Sequence, residues 1–238
     1  ILAYEVGVPA EYILYYDLCV YNLEQPQFVG LNEDIILGAR LDDITSCCAL
    51  IHGLIRSHNK SRVNVACLLD NEEIGSLSKQ GADSKMPSII LEKIWQSFGR
   101  SATDCIADIS DGILLSMDVA HAYHPNHPAK QDITNYPIMN NGVILKSASN
   151  QSYVWDAEAM GIVIGLCQEK DIPYQRFVKH SNVKGGGTIG SIISASLPMK
   201  AIDLGVGLLA MHSASESMGA KDQIALTRLA EEFYNYKR

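Results

Sequence analysis

Short apolar segments of strand length alternate with longer amphipathic segments along most of this chain. Strands that are separated by helices of about ten or more residues need crossover connections, which join parallel neighbours in a sheet. The alternation therefore predicts an α/β fold with a largely parallel or mixed sheet. Residues 1–35 do not share the alternation, and we expect them to belong to a different domain or to a sheet edge.

The positions of the predicted elements follow from hydrophobic spacing. The predicted strands are Tyr15–Tyr21, Asp34–Leu37, Arg62–Leu69, Leu114–Val119, Tyr174–Val178 and Ala201–Leu204. The predicted helices are Ile44–Ser57, Pro87–Phe98, Ala157–Lys170 and Lys221–Tyr234. The most apolar strand, Arg62–Leu69, contains the run Val-Asn-Val-Ala-Cys-Leu-Leu, which is expected of a strand buried on both faces.

The composition limits the class of protein. The 238 residues are 47% hydrophobic and 19% charged, and the formal net charge is −8. These values exclude an intrinsically disordered chain, which has fewer apolar residues and more net charge. No apolar stretch approaches the roughly 18 residues of a membrane span. An acidic balance without a Lys/Arg block argues against a nucleic-acid binder. We therefore expect a soluble globular protein with no nucleic acid and no membrane as partner.

The six cysteines indicate the redox setting. Most of them lie in apolar runs, as Cys67 and Cys167 do, where a free cysteine behaves as a small buried hydrophobic residue. The sequence has no Cys-x-x-Cys motif, which argues against a thiolate zinc site or a redox pair. The first residues contain no basic segment and no apolar core of a signal peptide. Together these features predict a reduced, cytoplasmic setting.

Four segments bring acidic residues or histidines together just after a predicted strand, where ligands usually bind in α/β sheets. In the first, Asp42 and Asp43 precede a helix, and a capping role is favoured over a ligand role on this evidence alone. In the second, residues 70–73 read Asp-Asn-Glu-Glu. They form either a solvated loop or a site where one Glu binds a metal and its neighbour acts as general base.

The third segment contains Asp118 followed by His121, His124 and His127. Asp and neutral imidazole are standard zinc ligands, so a metal cluster and a structural role weigh about equally here. The fourth segment contributes His212, which means little by itself.

Residues 185–190 read Gly-Gly-Gly-Thr-Ile-Gly and fit the pattern Gly-x-Gly-x-x-Gly. A dinucleotide-binding function would need this unit early in a βαβ fold, with an acidic residue at the end of the next strand. The favoured interpretation is a tight turn that lets the backbone pack closely. A nucleotide-binding oxidoreductase is kept as the less favoured alternative.

Five motifs occur in order along the chain: Arg-Leu-Asp-Asp (40–43), Asp-Asn-Glu-Glu-Ile-Gly-Ser (70–76), Ser-x-Asp-x-Ala-His-Ala-x-His-Pro-Asn (116–126), Gly-Gly-Gly-Thr-Ile-Gly (185–190) and Met-His-Ser (211–213). This ordered set resembles the aspartyl aminopeptidase family of dinuclear zinc exopeptidases, and its bacterial members above all. The resemblance runs across essentially the whole chain. It implies a zinc exopeptidase-like (phosphorylase/hydrolase-like) fold, in which helices sandwich a mixed, mostly parallel sheet in three αβα layers.

The resemblance also implies the metal site. Asp42 would be the carboxylate that bridges two Zn²⁺ ions in one active site. Glu73 and His212 would complete one zinc site, and Asp118 would serve the other. Glu72 would be the general base, which takes a proton from a metal-activated water and passes it to the leaving amine.

On the substrate side, the resemblance gives binding roles to His121, Lys146 and Tyr153. It implies a metallo-aminopeptidase that removes N-terminal residues from peptides with a free N-terminus. Asp or Glu is expected at that position, because the Lys146 ammonium can pair with a side-chain carboxylate. The resemblance further implies a homo-oligomer in which dimers assemble into a larger particle.

One feature departs from the family. The other zinc ligand of the family is a His near the N-terminus, whereas the first histidine of this chain is His52, inside the predicted helix Ile44–Ser57. We therefore interpret residues 1–35 as the tail of a β-rich dimerisation domain with its linker, and residues 36–238 as the C-terminal part of the catalytic domain. A non-catalytic assembly subunit that keeps the fold and binds metal weakly is the alternative.

Overall fold

A computed structural model, which describes residues 1–183 and 185–237, arranges the chain as two connected sheets with helices packed against them. The strands are β1 (Gln27–Val29), β2 (Ile35–Gly38), β3 (Ile113–Met117), β4 (Ala120–His121), β5 (Val143–Ser147), β6 (Tyr174–Val178), β7 (Lys200–Gly205), β8 (Gly207–Leu209) and β9 (Glu216–Gly219). The helices are α1 (Leu2–Val6), α2 (Leu41–Ile55), α3 (Met86–Ser97), α4 (Ala102–Ser110), α5 (Ala157–Glu169), α6 (Ile189–Ser196) and α7 (Ala220–Asn235).

The two sheets have the orders β3-β7-β5-β6 and β1-β2-β9-β8-β4. In the first sheet, β3 runs parallel to β7 and β5 runs parallel to β6, while β5 and β7 are antiparallel. The sheets are continuous, because β3 leads into β4 alongside β7 and β8. The Asp118 N–H donates to the Leu204 carbonyl at 2.9 Å, and the Ala120 N–H donates to the Val206 carbonyl at 2.8 Å. Asp118 therefore lies at the bend between the two sheets.

Helices cover both faces of the sheet. The main core contains α2, α5 and α7 on one face, where Val143 and Leu145 of β5 pack. Ile144, which points to the opposite face, packs with Phe177 and Tyr153. A separate cluster joins α6 to β3 on that second face. The arrangement confirms the expected α/β fold with a mixed sheet in three αβα layers.

Most of the predicted elements are confirmed, with ends shifted by no more than three residues. The confirmed strands are Asp34–Leu37, Leu114–Val119, Tyr174–Val178 and Ala201–Leu204, and all four predicted helices are present. Eight elements of the structure were missed: α1, α4, α6, β1, β4, β5, β8 and β9. The signal for α4 was a capping box, in which Ser101 and Asp104 satisfy each other's backbone N–H groups.

Two predicted strands are wrong. Neither Tyr15–Tyr21 nor Arg62–Leu69 pairs with any strand in the described part of the chain, and both runs are largely exposed. Val63 and Val65 are each 41% exposed. A run of β-branched residues becomes a strand only when its backbone groups find a partner. Within the described residues, neither run has a partner strand.

The segment 60–69 lines an apolar cleft instead. The cleft has a volume of about 850 Å³ and lies between this segment, α3, β3, α6 and the end of α7. Two apolar residues of the predicted helix Pro87–Phe98 line the cleft, and Ile90 is 45% and Phe98 is 66% exposed. The unpaired run and these two side chains therefore belong to one surface.

The six cysteines are free, as expected. Cys105 and Cys167 are buried, but Cys67 is exposed together with the segment around it, so the burial predicted for Cys67 is wrong. None of the helices that the structure describes combines the length and the apolar character needed to cross a membrane.

The contact between α2 and α7 depends on Gly53. A Cβ at this position would lie 2.8 Å from the backbone C atom of Ala230 and 2.8 Å from the backbone N atom of Glu231. We expect Gly53→Ala to destabilise the protein by about 1–3 kcal/mol, because backbone cannot give way as a flexible side chain can. The free energy of unfolding in urea measures this.

Gly165 on α5 is the matched control, since a Cβ there meets nothing within 4 Å. Gly165→Ala should stabilise the protein by about 0.5–1 kcal/mol through helix propensity alone. Equal stability of Gly53→Ala and the unmodified protein would contradict the close helix contact.

Candidate metal centre

Four separate parts of the chain meet at the bend between the sheets. Asp42 lies at the start of α2, where its backbone and that of Asp43 are not helical. Glu73 lies in a single 3₁₀ turn, Glu72–Ile74. Asp118 follows β3, and His212 lies in the turn after β8 with a left-handed φ of 66°. The sequence placed each of these residues near a strand end, and the fold brings them together.

The first donor cluster contains Asp42, Glu73 and His212. The His212 Nε2 atom lies 3.2 Å from the Asp42 Oδ2 atom and 3.1 Å from the Glu73 Oε2 atom. One donor atom from each residue lies within 4.8 Å of the others. Two carboxylates and an imidazole form a ligand set that suits zinc.

The second donor cluster contains Asp42, Asp43 and Asp118, again with donor atoms within 4.8 Å of one another. Asp42 thus belongs to both clusters. Asp43 was predicted to cap α2, but no side chain of the described residues makes a capping hydrogen bond at this helix end. Its Oδ1 atom is buried without a hydrogen-bond partner among the described residues.

The charges in these clusters are unbalanced. Burial, followed by the charges of Asp118 and Glu73, raises the pKa of Asp42 to about 7, although His212 acts in the opposite direction. Burial and the charge of Asp118 also raise the pKa of Asp43 well above its ordinary value. Carboxylates this crowded are stabilised by a cation between them. The donor atoms and their charge therefore fit a divalent metal.

Glu216, which the sequence analysis missed, holds the two halves of the first cluster together. Its carboxylate is buried in β9 and accepts two main-chain hydrogen bonds. The Asp42 N–H donates to the Oε2 atom at 3.0 Å, and the His212 N–H donates to the Oε1 atom at 2.7 Å. The only sequence signal was a Glu four residues after His212.

Lys146 performs a similar task for Asp118. Its side chain is 1% exposed, and its Nζ atom donates to the Asp118 Oδ2 atom at 3.3 Å and to the Val119 carbonyl at 2.6 Å. The other carboxylate oxygen of Asp118 accepts the Val119 N–H at 2.7 Å. Burial opposes the charge of Lys146, but Asp118 and Asp203 leave its pKa above the ordinary value. The buried ammonium is thus paired and hydrogen-bonded.

Glu72 precedes Glu73 in the same turn and is partly buried. Burial raises its pKa first, and the charges of Asp118 and Glu73 raise it further. A carboxyl group with a raised pKa accepts and returns a proton near neutral pH more readily than an ordinary Glu does. Glu72 therefore has an environment that suits a general base.

Two of the predicted substrate residues, Lys146 and Tyr153, lie close together. Burial and the charges of His212 and Lys146 lower the pKa of the third, His121. The Tyr153 ring centroid lies 5.3 Å from the Lys146 Nζ atom. His124 and His127 contact each other, with ring centroids 4.9 Å apart, and neither belongs to a donor cluster of the described residues.

The glycines of residues 185–190 allow close packing, as predicted, but the predicted tight turn is wrong, because residues 185–188 form no turn. A Cβ at Gly187 would lie 3.1 Å from the Ser152 carbonyl, and a Cβ at Gly190 would lie 2.6 Å from the Asp203 Oδ1 atom. The Thr188 hydroxyl donates to the Asp203 Oδ2 atom at 2.5 Å, which fixes the segment to β7.

Sequence comparison identifies relatives of this chain. The family model described as Aminopeptidase I zinc metalloprotease (M18) matches residues 1–234. The chain is 38% identical over 234 residues to a probable M18 family aminopeptidase 2 of Clostridium novyi, and the match covers 98% of this chain and 54% of that protein. This chain therefore spans about half the length of the curated relatives that it matches.

Solved structures agree with the sequence relatives. The crystal structure of prApe1 superposes with a TM-score of 0.91 at 28% identity, over 99% of this chain and 51% of that chain. The structure of the S. cerevisiae mApe1 dodecamer gives a TM-score of 0.81 at 26% identity, over 98% of this chain and 53% of that one. The resemblance inferred from the five motifs is confirmed. This chain belongs to the M18 family of aminopeptidase I zinc metalloproteases.

Proposed function

We propose that this chain carries most of the active site of a zinc aminopeptidase that holds two Zn²⁺ ions. The observation behind this proposal is that Asp42 belongs to two donor clusters at once. Glu73 and His212 would bind one ion with Asp42, and Asp118 would bind the other. Zinc in such a site polarises a peptide carbonyl and lowers the pKa of a water molecule.

The residues of the chain supply the proton transfer and the orientation. The Glu72 carboxylate would accept a proton from the attacking water and return it to the nitrogen of the leaving amine. The raised pKa of Glu72 supports this role, since a more basic carboxylate binds the proton more tightly. Glu216 would keep Asp42 and His212 in place, and Lys146 would do the same for Asp118. Because these ligands are already ordered, less free energy is spent on positioning them during the reaction.

We also propose that residues 36–238 are the C-terminal part of a catalytic domain, and that residues 1–35 are the tail of a β-rich dimerisation domain and its linker. The greater length of the relatives supports this division. So does the apolar cleft beside segment 60–69, where a strand-like run has no partner within the described residues. Strands from the remainder of a longer protein would pair there.

The substrates that we propose are peptides with a free N-terminus, and in particular those that begin with Asp or Glu. The Tyr153 ring lies beside the Lys146 ammonium, and both Tyr153 and His121 would contact the substrate. A homo-oligomer is proposed because the related S. cerevisiae mApe1 forms a dodecamer. The six free cysteines support a reducing, cytoplasmic setting.

Glu72→Gln tests the general base. In the full-length protein, we expect this change to lower kcat for a peptide with an N-terminal Asp or Glu by about 10²–10⁴-fold, because an amide cannot accept the proton. The zinc content, measured by inductively coupled plasma mass spectrometry, should stay at the level of the unmodified protein. Glu169→Gln on the exposed face of α5 is the control. A Glu72→Gln variant with unchanged kcat would contradict the assignment.

Glu216→Gln tests how the ligands are held. The amide can accept only one of the two main-chain hydrogen bonds, so Asp42 or His212 loses its anchor. We expect zinc affinity to fall by about ten- to hundredfold, as other losses of supporting hydrogen bonds do. Competition with a chromogenic zinc chelator measures the affinity, and Glu169→Gln again serves as control. Unchanged affinity would show that Glu216 does not hold the ligands.

A further inference from the structure

Asp203 is a buried carboxylate that belongs to neither donor cluster of the described residues. It lies on β7, the strand between β3 and β5, and is 0% exposed. Its Oδ2 atom accepts the Val154 N–H at 2.5 Å and the Thr188 hydroxyl at 2.5 Å. A buried carboxylate costs free energy that an apolar side chain of similar size would not cost, so packing alone does not explain Asp203.

The hydrogen bonds of Asp203 and Thr188 enclose Tyr153, the proposed substrate residue. On one side of Tyr153, the Ser152 carbonyl accepts the Thr188 N–H at 3.2 Å. On the other side, the Val154 N–H donates to the Asp203 carboxylate, and the Val154 carbonyl accepts the Asp203 N–H at 2.8 Å. Because the Thr188 hydroxyl donates to the same carboxylate, one set of hydrogen bonds joins residues 152–154 to the start of α6 and to β7.

The residue types at the start of α6 suit contact with Asp203 better than they suit the helix. Thr188 occupies the N-cap position, where a threonine side chain commonly accepts a main-chain N–H of the first turn. Its side chain makes no such hydrogen bond with α6 as the structure describes it, and the hydroxyl donates to Asp203 instead. Gly190 lies in the first turn although glycine disfavours a helix. A Cβ there would lie 2.6 Å from the Asp203 Oδ1 atom.

We propose that Asp203 is a positioning residue, which fixes residues 152–154 against the start of α6 so that Tyr153 is ordered before the substrate binds. This rests on the proposed aminopeptidase function, in which Tyr153 contacts the substrate. Without the hydrogen bond between Thr188 and Asp203, substrate binding has to supply the free energy that orders the Tyr153 segment, and KM rises. Neither Asp203 nor Thr188 bonds to Glu72 or to a proposed zinc ligand through its side chain within the described residues, so kcat and zinc affinity should be unaffected.

Thr188→Val and Thr188→Ser in the full-length protein test this proposal with peptides that begin with Asp, Glu or Leu. Valine has nearly the shape of threonine but no hydroxyl, so Thr188→Val removes the hydrogen bond to Asp203. We expect it to raise KM for the peptide that the unmodified protein hydrolyses best by about ten- to hundredfold, as the loss of a hydrogen bond to a charged group does. The kcat value should stay within about threefold. Thr188→Ser keeps the hydroxyl and should restore KM to within about threefold.

Thr227→Val on α7 is the matched control, because it removes a hydroxyl that donates to the Gln223 carbonyl of its own helix at 2.8 Å. Its KM should equal that of the unmodified protein. Hydrogen exchange followed by mass spectrometry gives a readout besides activity. In Thr188→Val, residues 152–156 should exchange faster than in the unmodified protein, while α5 should exchange at the same rate. Unchanged exchange of residues 152–156 would contradict the proposed role of Asp203.

The outcomes separate the two proposals. If the unmodified protein hydrolyses none of these peptides, the proposed function fails and the role of Asp203 fails with it. If the unmodified protein is active and Thr188→Val has the same KM, only the role of Asp203 is overturned. A fall in kcat together with zinc affinity would also overturn it, because that pattern indicates a general loss of structure. A raised KM with unchanged kcat and zinc affinity, restored in Thr188→Ser, supports it.

Discussion

The Asp42 carboxylate is the group on which the rest of the site depends, because it is shared by two donor clusters. Its position is set by the fold around it. The Asp42 N–H is bound by the buried Glu216 of β9, and α2 leaves helical geometry at Asp42. The same helix packs closely on α7 through Gly53. The position of Asp42 therefore depends on the backbone at the start of α2, on the packing of that helix and on its hydrogen bond to Glu216.

Charge balance explains why the surrounding groups are arranged as they are. Asp42, Asp43 and Asp118 lie close together, and burial raises the pKa of the first two. A low local dielectric makes this repulsion costly, and it equally strengthens the attraction of a divalent cation. The Lys146 ammonium neutralises part of the charge of Asp118 through its Oδ2 atom, and the charges of the other carboxylates remain for the metal. The carboxylates therefore repel one another when no cation is bound, and the same crowding gives the site its affinity for a cation.

The sequence predicts the parts of the site whose chemistry is visible in residue types. Asp42, Glu73, Asp118 and His212 were identified because acidic and imidazole side chains recur in a known order. Glu216 was missed because its task is to accept main-chain hydrogen bonds from segments far apart in the sequence. The strand predicted at Arg62–Leu69 was wrong for a related reason. Local apolar character cannot reveal that no neighbouring strand is available among the described residues.

The central claim is that Asp42 bridges two zinc ions, and anomalous diffraction at the zinc absorption edge of the zinc-loaded, full-length protein tests it most directly. The account predicts two anomalous peaks, one beside each carboxylate oxygen of Asp42. The first peak should also contact Glu73 and His212, and the second should contact Asp118. A single peak, or two peaks that do not share Asp42, would contradict the account.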